Sequence, residues 1–407
     1  VLELFPDTAE TADGRLRIGG LAADELATTF GTPLVVYCEQ TIRARVRAYR
    51  SAAPGALIVF GTKAFPNVTL LRLFAAIDVG ADVSTGGELE FARRARVPGD
   101  RLIVHGNNKS DDELRAAADA RAAFVVLDAL EEVERAAAAG VRRVLLRVAP
   151  GVEAETHEAI RTGHEGSKFG VPLEQVLETA EAARSAALEV AGLHVHVGSQ
   201  LAGPEAALAA IDRVAALPFE PDVLDLGGGL GVRHTSFDVV APIEVFVRAL
   251  LDRVEQAFPH RPKVVLEPGR SLIGQAGVTL YGVGAVKRTP RGTWVAIDGG
   301  VSDNPRPQLY GALYTALLAN RAVERPAGVY RIAGKHCESG DVLIDGVELP
   351  APRRGDVLAV PATGAYTLGM ASNYNGVPRP AAVLVGGGDA SLMRRRETIA
   401  DLLAREL

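Results

Sequence analysis

The sequence predicts an α/β plus β protein: a (β/α)8 barrel of the TIM type, with a second, β-rich, β-barrel-like domain formed by both chain ends. Three observations carry this. From about residue 34 to 272, short apolar runs alternate evenly with Ala/Arg/Glu-rich helical stretches. Roughly eight such units can be counted, the number that closes a parallel barrel. Beyond residue 272 helical stretches nearly vanish, and β-type runs are divided by Gly, Pro and Asp turns. The expected domains are therefore 34–272 for the barrel and 1–33 with 273–407 for the β-rich part. A doubly wound open sheet competes for the first domain but usually has fewer strands.

Residues 1–33 are short, mixed and polar, with turn signals at Asp13-Gly14 and Gly19-Gly20. The barrel strands are then read at Leu57–Lys63, Asp78–Ser84, Leu102–Gly106, Phe124–Asp128, Val144–Val148, Leu188–His196, Val223–Gly229 and Val264–Arg270. The first shows why: Leu57 to Phe60 are continuously apolar, as in a strand buried on both faces of a parallel sheet. Helices are expected between them, among others at Asp111–Arg121, Glu131–Ala139, Leu173–Ala187 and Ile243–Ala257. In the β-rich part, strands are expected at Val278–Lys287, Thr293–Asp298, Val329–Ile332, Val342–Ile344, Asp356–Val360 and Ala382–Val385. The one sizeable helix there is read at Tyr310–Asn320.

Composition narrows the function. With 48% hydrophobic and 23% charged residues the chain is an ordinary globular protein. A net charge of −6 offers no basic, aromatic-interleaved patch for nucleic acid. No apolar run reaches membrane-spanning length, and Val1–Asp7 has neither the basic nor the apolar region of a secretory signal. Cys38 and Cys337 lie far apart, pointing to a reducing, cytoplasmic compartment without a disulfide framework. No His-x-x-x-His or Cys-x-x-Cys spacing argues for a metal, so none is expected.

The strand ends hold the chemistry. Lys63 follows the first strand, where burial would favour an amine nucleophile or Schiff-base former over an ammonium; a lysine reaching to solvent is the plain alternative. Asp82, His105, Arg147, His194 and His196 stand at later strand ends. Gly227–Gly229 lets backbone N–H groups approach an anion, although glycine also serves tight turns for steric reasons alone. Ser199, Arg270 and Tyr366 would add donors. Glu267 could simply pair with Arg270, or it could keep a ring nitrogen protonated. A Schiff-base lysine, a phosphate cradle and a carboxylate for a pyridinium together specify pyridoxal 5'-phosphate, an electron sink for a carbanion at an amino acid's Cα. His196 would stack on that ring, and Arg147 would reach its hydroxyl unless it is only an interior ion pair.

The ordered motifs resemble a known family, the pyridoxal-phosphate decarboxylases of the alanine-racemase fold type, and diaminopimelate decarboxylases most closely. They are Thr162-Gly163 with Ser167–Gly170, His194–Gln200, Glu267–Ser271, Asp303-Asn304 with Arg306-Pro307, Cys337–Asp341, Gly364–Tyr366 and Met370–Asn375. The resemblance covers nearly the whole chain. It implies Lys63 as the cofactor lysine, Glu267 at the pyridine nitrogen and His196 on the ring face. It implies phosphate contacts from Ser199, Gly227, Gly228, Gly229 and Tyr366. Arg270, Arg306 and Tyr310 would hold the substrate's distal end, Glu338 its distal ammonium, and Cys337 would be the proton donor. It further implies a homodimer with shared active sites.

Two positions depart from the family pattern. Phe60–Phe65 reads Phe-Gly-Thr-Lys-Ala-Phe where Tyr-Ala-x-Lys-Ala-Asn is commoner, and Val301 stands where Met is common. Rival readings are the same chemistry on ornithine, arginine, lysine or carboxynorspermidine, a racemase, and a cofactor-free regulatory relative. Simple diamino acids lack a distal carboxylate, so the Arg270/Arg306/Tyr310 set argues against them. No Tyr–Arg motif supplies a racemase's second base. A regulator would have lost the lysine, the carboxylate or the glycines.

Overall fold

The computed structural model describes residues 1–152 and 166–407. Thr162 and Gly163 of the first motif lie outside the described residues. The chain divides into two compact units, Arg45–Gly231 with Val240–Ser271, and Val1–Ala44 with Val232–Val239 and Leu272–Leu407.

The first unit is a closed parallel barrel of eight strands: β1 Leu57–Gly61, β2 Gly80–Val83, β3 Leu102–Val104, β4 Phe124–Leu127, β5 Arg143–Ala149, β6 Glu189–Val195, β7 Val223–Asp225 and β8 Lys263–Leu266. The ring closes where Val265 and Leu266 of β8 pair with Leu57 and Ile58 of β1. Inward-facing Val59, Ile103, Val126, Leu145, Ala191, Val223 and Val265 fill its interior. Burying each Val, Ile or Leu side chain contributes about 1.5–3 kcal/mol, so the β-branched runs that mark the strands also pay for the barrel. Leu145→Ala would cost about 2–5 kcal/mol through the cavity it leaves.

The expected barrel strand and helix positions hold; apart from β5, which extends to Arg143–Ala149, the strands are shorter than expected and their polar ends become loops. Asn67, Thr85 and Ser110 cap the helices Val68–Ala76, Gly86–Ala95 and Asp111–Asp119, each side chain accepting a first-turn backbone N–H. Glu113 completes a capping box with Ser110. These caps start the helices immediately after the loops that carry the strand-end residues.

The second unit is β-rich. A long strand, Gly277–Thr289, pairs through Thr279–Gly282 with Val357–Val360 and through Val283–Thr289 with Gly292–Ile297. Gly292–Ile297 continues to Gly328–Ala333 and Val342–Leu349. The segment Leu34–Cys38, read from sequence as part of the barrel domain, instead pairs here with Gly277–Leu280 and with Ala381–Gly386. Its continuously apolar pattern is common to both sheets, so local sequence could not choose between them. The expected helix over Tyr310–Asn320 is not formed: the helix is Arg306–Tyr310, and Leu317–Leu318 pairs with Leu358–Ala359. Gly311 at φ +60° ends that helix.

Candidate active site

Parallel strands carry their C-terminal ends to one rim, and the predicted barrel residues collect there. Lys63 sits in a 3-10 turn, Thr62–Ala64, directly after β1. It is not desolvated as its position in the sequence suggested: its side chain is 47% exposed, and Nζ lies 3.5 Å from Asp82 Oδ2 of β2. The turn lifts the ammonium clear of the barrel and a carboxylate meets it. Burial raises the Asp82 pKa, against the pull of Lys63.

Asp82 Oδ1 is 3.7 Å from His105 Nε2, just past β3. His105 Nε2 makes a 2.6 Å hydrogen bond to Glu267 Oε1, just past β8. His194 of β6 places Nε2 3.4 Å from Glu267 Oε2. Burial pushes Glu267 up, but the two histidines outweigh it and hold the carboxyl well below its usual range. Burial lowers His194 to about 3, so its imidazole is neutral. Asp225, at the end of β7, is raised well above its usual value by burial and by the Glu267 charge. The buried floor thus concentrates its negative charge on Glu267. The Arg270 salt bridge offered as the plain reading of Glu267 gives way to these histidines; Arg270 Nη2 donates to Ser199 Oγ at 3.1 Å.

Gly227 N donates to Asp225 Oδ1 at 2.9 Å and Gly228 N to His196 Nδ1 at 3.2 Å. The glycines are required by space. A Cβ on Gly228 would stand 2.4 Å from the Glu267 carbonyl oxygen, and one on Gly227 2.7 Å from His196 Nδ1. The His196 ring is partly exposed, and burial with the Lys63 and Arg147 charges lowers its pKa well below the usual value. It too is neutral. Arg147 Nη1 lies 3.7 Å from Asp128 Oδ1, and the guanidinium sits 4.4 Å over the Phe169 ring. Phe65 is fully buried, so its departure from the family pattern falls in the packing around the lysine.

These barrel residues fit pyridoxal phosphate. An accessible lysine, an ionised buried carboxylate, a neutral imidazole and a loop with no room for side chains stand on one rim. His105, His194, Asp225 and Glu267 also bring four potential metal-ligand atoms within 4.8 Å. Sequence spacing could not reveal this cluster, because its members come from four different strands.

In the β-rich unit, Arg306 is buried, and Nη1 donates to His234 Nε2 at 2.8 Å and to Tyr314 Oη at 2.6 Å. Tyr310 ends the same helix, partly exposed. Cys337 is exposed. Its backbone N–H donates to Asn375 Oδ1 at 2.9 Å. Glu338 is exposed beside it, and Asp341 gathers the loop by accepting from Val301 N, His336 N and His336 Nδ1. Tyr366 has φ +58°, a left-handed backbone unusual for a bulky residue and of the kind found at functional sites. His234, Tyr314 and Asp225 were not marked by the sequence. Asp82, His105 and His194 were marked only by standing at strand ends.

Comparison with known proteins agrees with this geometry. Residues 39–274 match the family described as pyridoxal-dependent decarboxylase, pyridoxal binding domain. The chain is 43% identical to the diaminopimelate decarboxylase of Actinosynnema pretiosum subsp. auranticum, over 99% of this chain and 95% of that protein. It is 40% identical to the one from Bacillus subtilis strain 168, over 99% and 98%. Among solved structures it is similar to diaminopimelate decarboxylase from M. jannaschii in co-complex with L-lysine, with a TM-score of 0.91 and 33% identity over 98% of both chains. Lysine/ornithine decarboxylase from Vibrio vulnificus, complexed with putrescine, matches at a TM-score of 0.76 and 25% identity, over 89% of this chain and 96% of that one.

Proposed function

This chain belongs to the diaminopimelate decarboxylase family of pyridoxal-dependent decarboxylases, and we propose that it converts meso-2,6-diaminopimelate to L-lysine and CO2. The observation that carries the reading is the buried floor on which His105 and His194 hold Glu267 ionised, joined through Asp82 to the accessible Lys63.

Pyridoxal phosphate, when bound, supplies an electron sink for the bond between Cα and the departing carboxylate. Lys63 would hold it covalently, Glu267 would face its ring nitrogen and His196 its ring face. Gly227, Gly228, Gly229, Ser199 and Tyr366 would receive its phosphate, with Arg270 donating to Ser199 alongside them. Arg147 would reach the ring hydroxyl from its place beside Asp128. Glu267 serves as an anion that keeps a facing N–H in place; a neutral amide there could not.

Arg306 and Tyr310 bind the substrate's distal carboxylate and Glu338 its distal ammonium, as complementary charge requires. Arg270 could share the carboxylate. Cys337 Sγ–H gives its proton to the carbon that loses CO2. The working form is a two-fold homodimer in which Cys337 and Glu338 serve the partner's cofactor. Among the described residues no helix is long and apolar enough to cross a membrane, and we place the protein in the cytoplasm.

Loaded protein offered meso-diaminopimelate, lysine, ornithine, arginine and carboxynorspermidine should release CO2 from the first at least about a hundredfold faster. A faster reaction with any other would move the assignment to that substrate. Borohydride should fix the cofactor to the peptide containing Lys63; a label on Lys109 or Lys168 would overturn the lysine assignment.

A further inference from the structure

Glu267 has to present a charge in one direction, yet its side chain has three rotatable bonds and sits at a loop just past a strand. Something must hold it. Its Oε1 makes a 2.6 Å hydrogen bond with His105 Nε2, and Asp225 is hydrogen-bonded to the same carboxyl group. The two rings behind it, His105 and His194, pack edge to face with centroids 4.7 Å apart. Both histidines are buried, as are Asp82 and Asp225 on either side.

We propose that His105 is a positioning residue for decarboxylation: its Nε2–H fixes the orientation of the Glu267 carboxylate, while His194 Nε2 stands 3.4 Å from the second oxygen without a hydrogen bond to it. This rests on the role given to Glu267 above.

The choice of residue has a physical reason. A Lys or Arg at position 105 would also hold the carboxylate, but its permanent charge would cancel the field that Glu267 is there to supply. An imidazole N–H gives direction without an obligatory charge. The remaining neighbours fit this division of labour. Asp225 takes the Gly227 N–H on Oδ1, tying the floor to the glycine loop. Asp82 faces both His105 and Lys63, so His105 also stands between the lysine's counter-ion and Glu267.

The same four side chains could be read as a metal cage. A metal, however, needs the Nε2 lone pair that a 2.6 Å N–H···O bond occupies with a proton. The state of that nitrogen therefore separates the two.

The experiment uses the full chain, with and without pyridoxal phosphate, as wild type and as His105→Phe, His105→Gln and Glu267→Gln. In cofactor-free wild type, nitrogen NMR of the histidine rings should show a proton on His105 Nε2, the signal being assigned by its loss in the variants. A proton confined to Nδ1 would overturn the proposal. In loaded protein, His105→Phe should lower kcat about 30–100-fold, as expected for a misaligned catalytic group. It should leave KM within about threefold and shift the visible absorbance of the bound cofactor in the same sense as Glu267→Gln. His105→Gln, whose Nε2–H can reach the same oxygen, should recover at least about a tenth of wild-type kcat. If Glu267→Gln is slow while His105→Phe turns over at the wild-type rate, the positioning role alone is wrong. If Glu267→Gln is itself as fast as wild type, the reading of Glu267 falls and this proposal with it. Should His105→Phe fail to fold, the glutamine variant decides: loss equal to that of Glu267→Gln, with unchanged absorbance, counts against the proposal.

Discussion

Arg306 Nη1 donates to His234 Nε2 at 2.8 Å and to Tyr314 Oη at 2.6 Å, so both protons of one guanidinium nitrogen are spent on holding the side chain still. His234 must accept at Nε2, which places any single ring proton on Nδ1. A lysine keeps the charge but cannot reproduce the fork. Arg306→Lys should therefore raise KM for meso-diaminopimelate at least about tenfold while the cofactor dissociation constant stays within about threefold. Equal losses of substrate and cofactor affinity would make Arg306 a purely structural residue.

Gly228 offers a steric test of the loop. An added methyl would meet the Glu267 carbonyl oxygen at 2.4 Å, a backbone atom that cannot rotate away. Gly228→Ala should weaken pyridoxal phosphate binding at least about thirtyfold, measured by dialysis, with thermal stability falling by a few degrees at most. Wild-type cofactor affinity in that variant would show that the loop does not receive the phosphate.

Stability should depend on pH through Asp303. Burial pushes its carboxyl up to about 7, despite the Tyr281 hydroxyl that donates to Oδ2 at 2.5 Å. Between about pH 4 and pH 7 the folded state keeps this proton and the unfolded chain releases it. The contribution is thus complete below about pH 4 and is lost as pH rises through 7, by up to roughly 4 kcal/mol. Asp303→Asn has no such proton. Relative to the variant, wild type should lose stability between pH 4.5 and 7.5 in urea unfolding; parallel curves would return Asp303 to an ordinary pKa.

The shared site has its own test. Lys63→Ala and Cys337→Ala should each be inactive as homodimers. Refolded together, about half the dimers are mixed, each with one intact site of two, so roughly a quarter of wild-type activity should return. Mixed dimers confirmed by mass spectrometry yet without activity would confine the site to one chain.

Periodicity made the barrel legible. Strands buried on both faces must be continuously apolar, and the helices between them must be amphipathic, so eight alternations could be counted without coordinates. The same logic exposed Lys63, His196 and Glu267, because a polar residue ending an apolar strand has to face the rim. It failed at Leu34–Cys38, whose apolar run satisfies either sheet, and at Tyr310–Asn320, where Gly311 at φ +60° outweighed helical propensity over the next residues.

What the sequence determined by itself is therefore the fold class, the order of the strand-end residues and, through its ordered motifs, the family. Only the tertiary structure decided which of those residues meet. His105 and Glu267 are separated by 162 positions, and Arg306 and His234 by 72, yet each pair is within hydrogen-bonding distance. Lys63 had the position of a buried amine and turned out half exposed beside Asp82. Burial and pairing are properties of neighbours across strands, and local sequence carries the pattern of one strand at a time. The charge on Glu267 belongs to that second kind of property, since two other strands bring His105 and His194 to its carboxylate and these outweigh its burial.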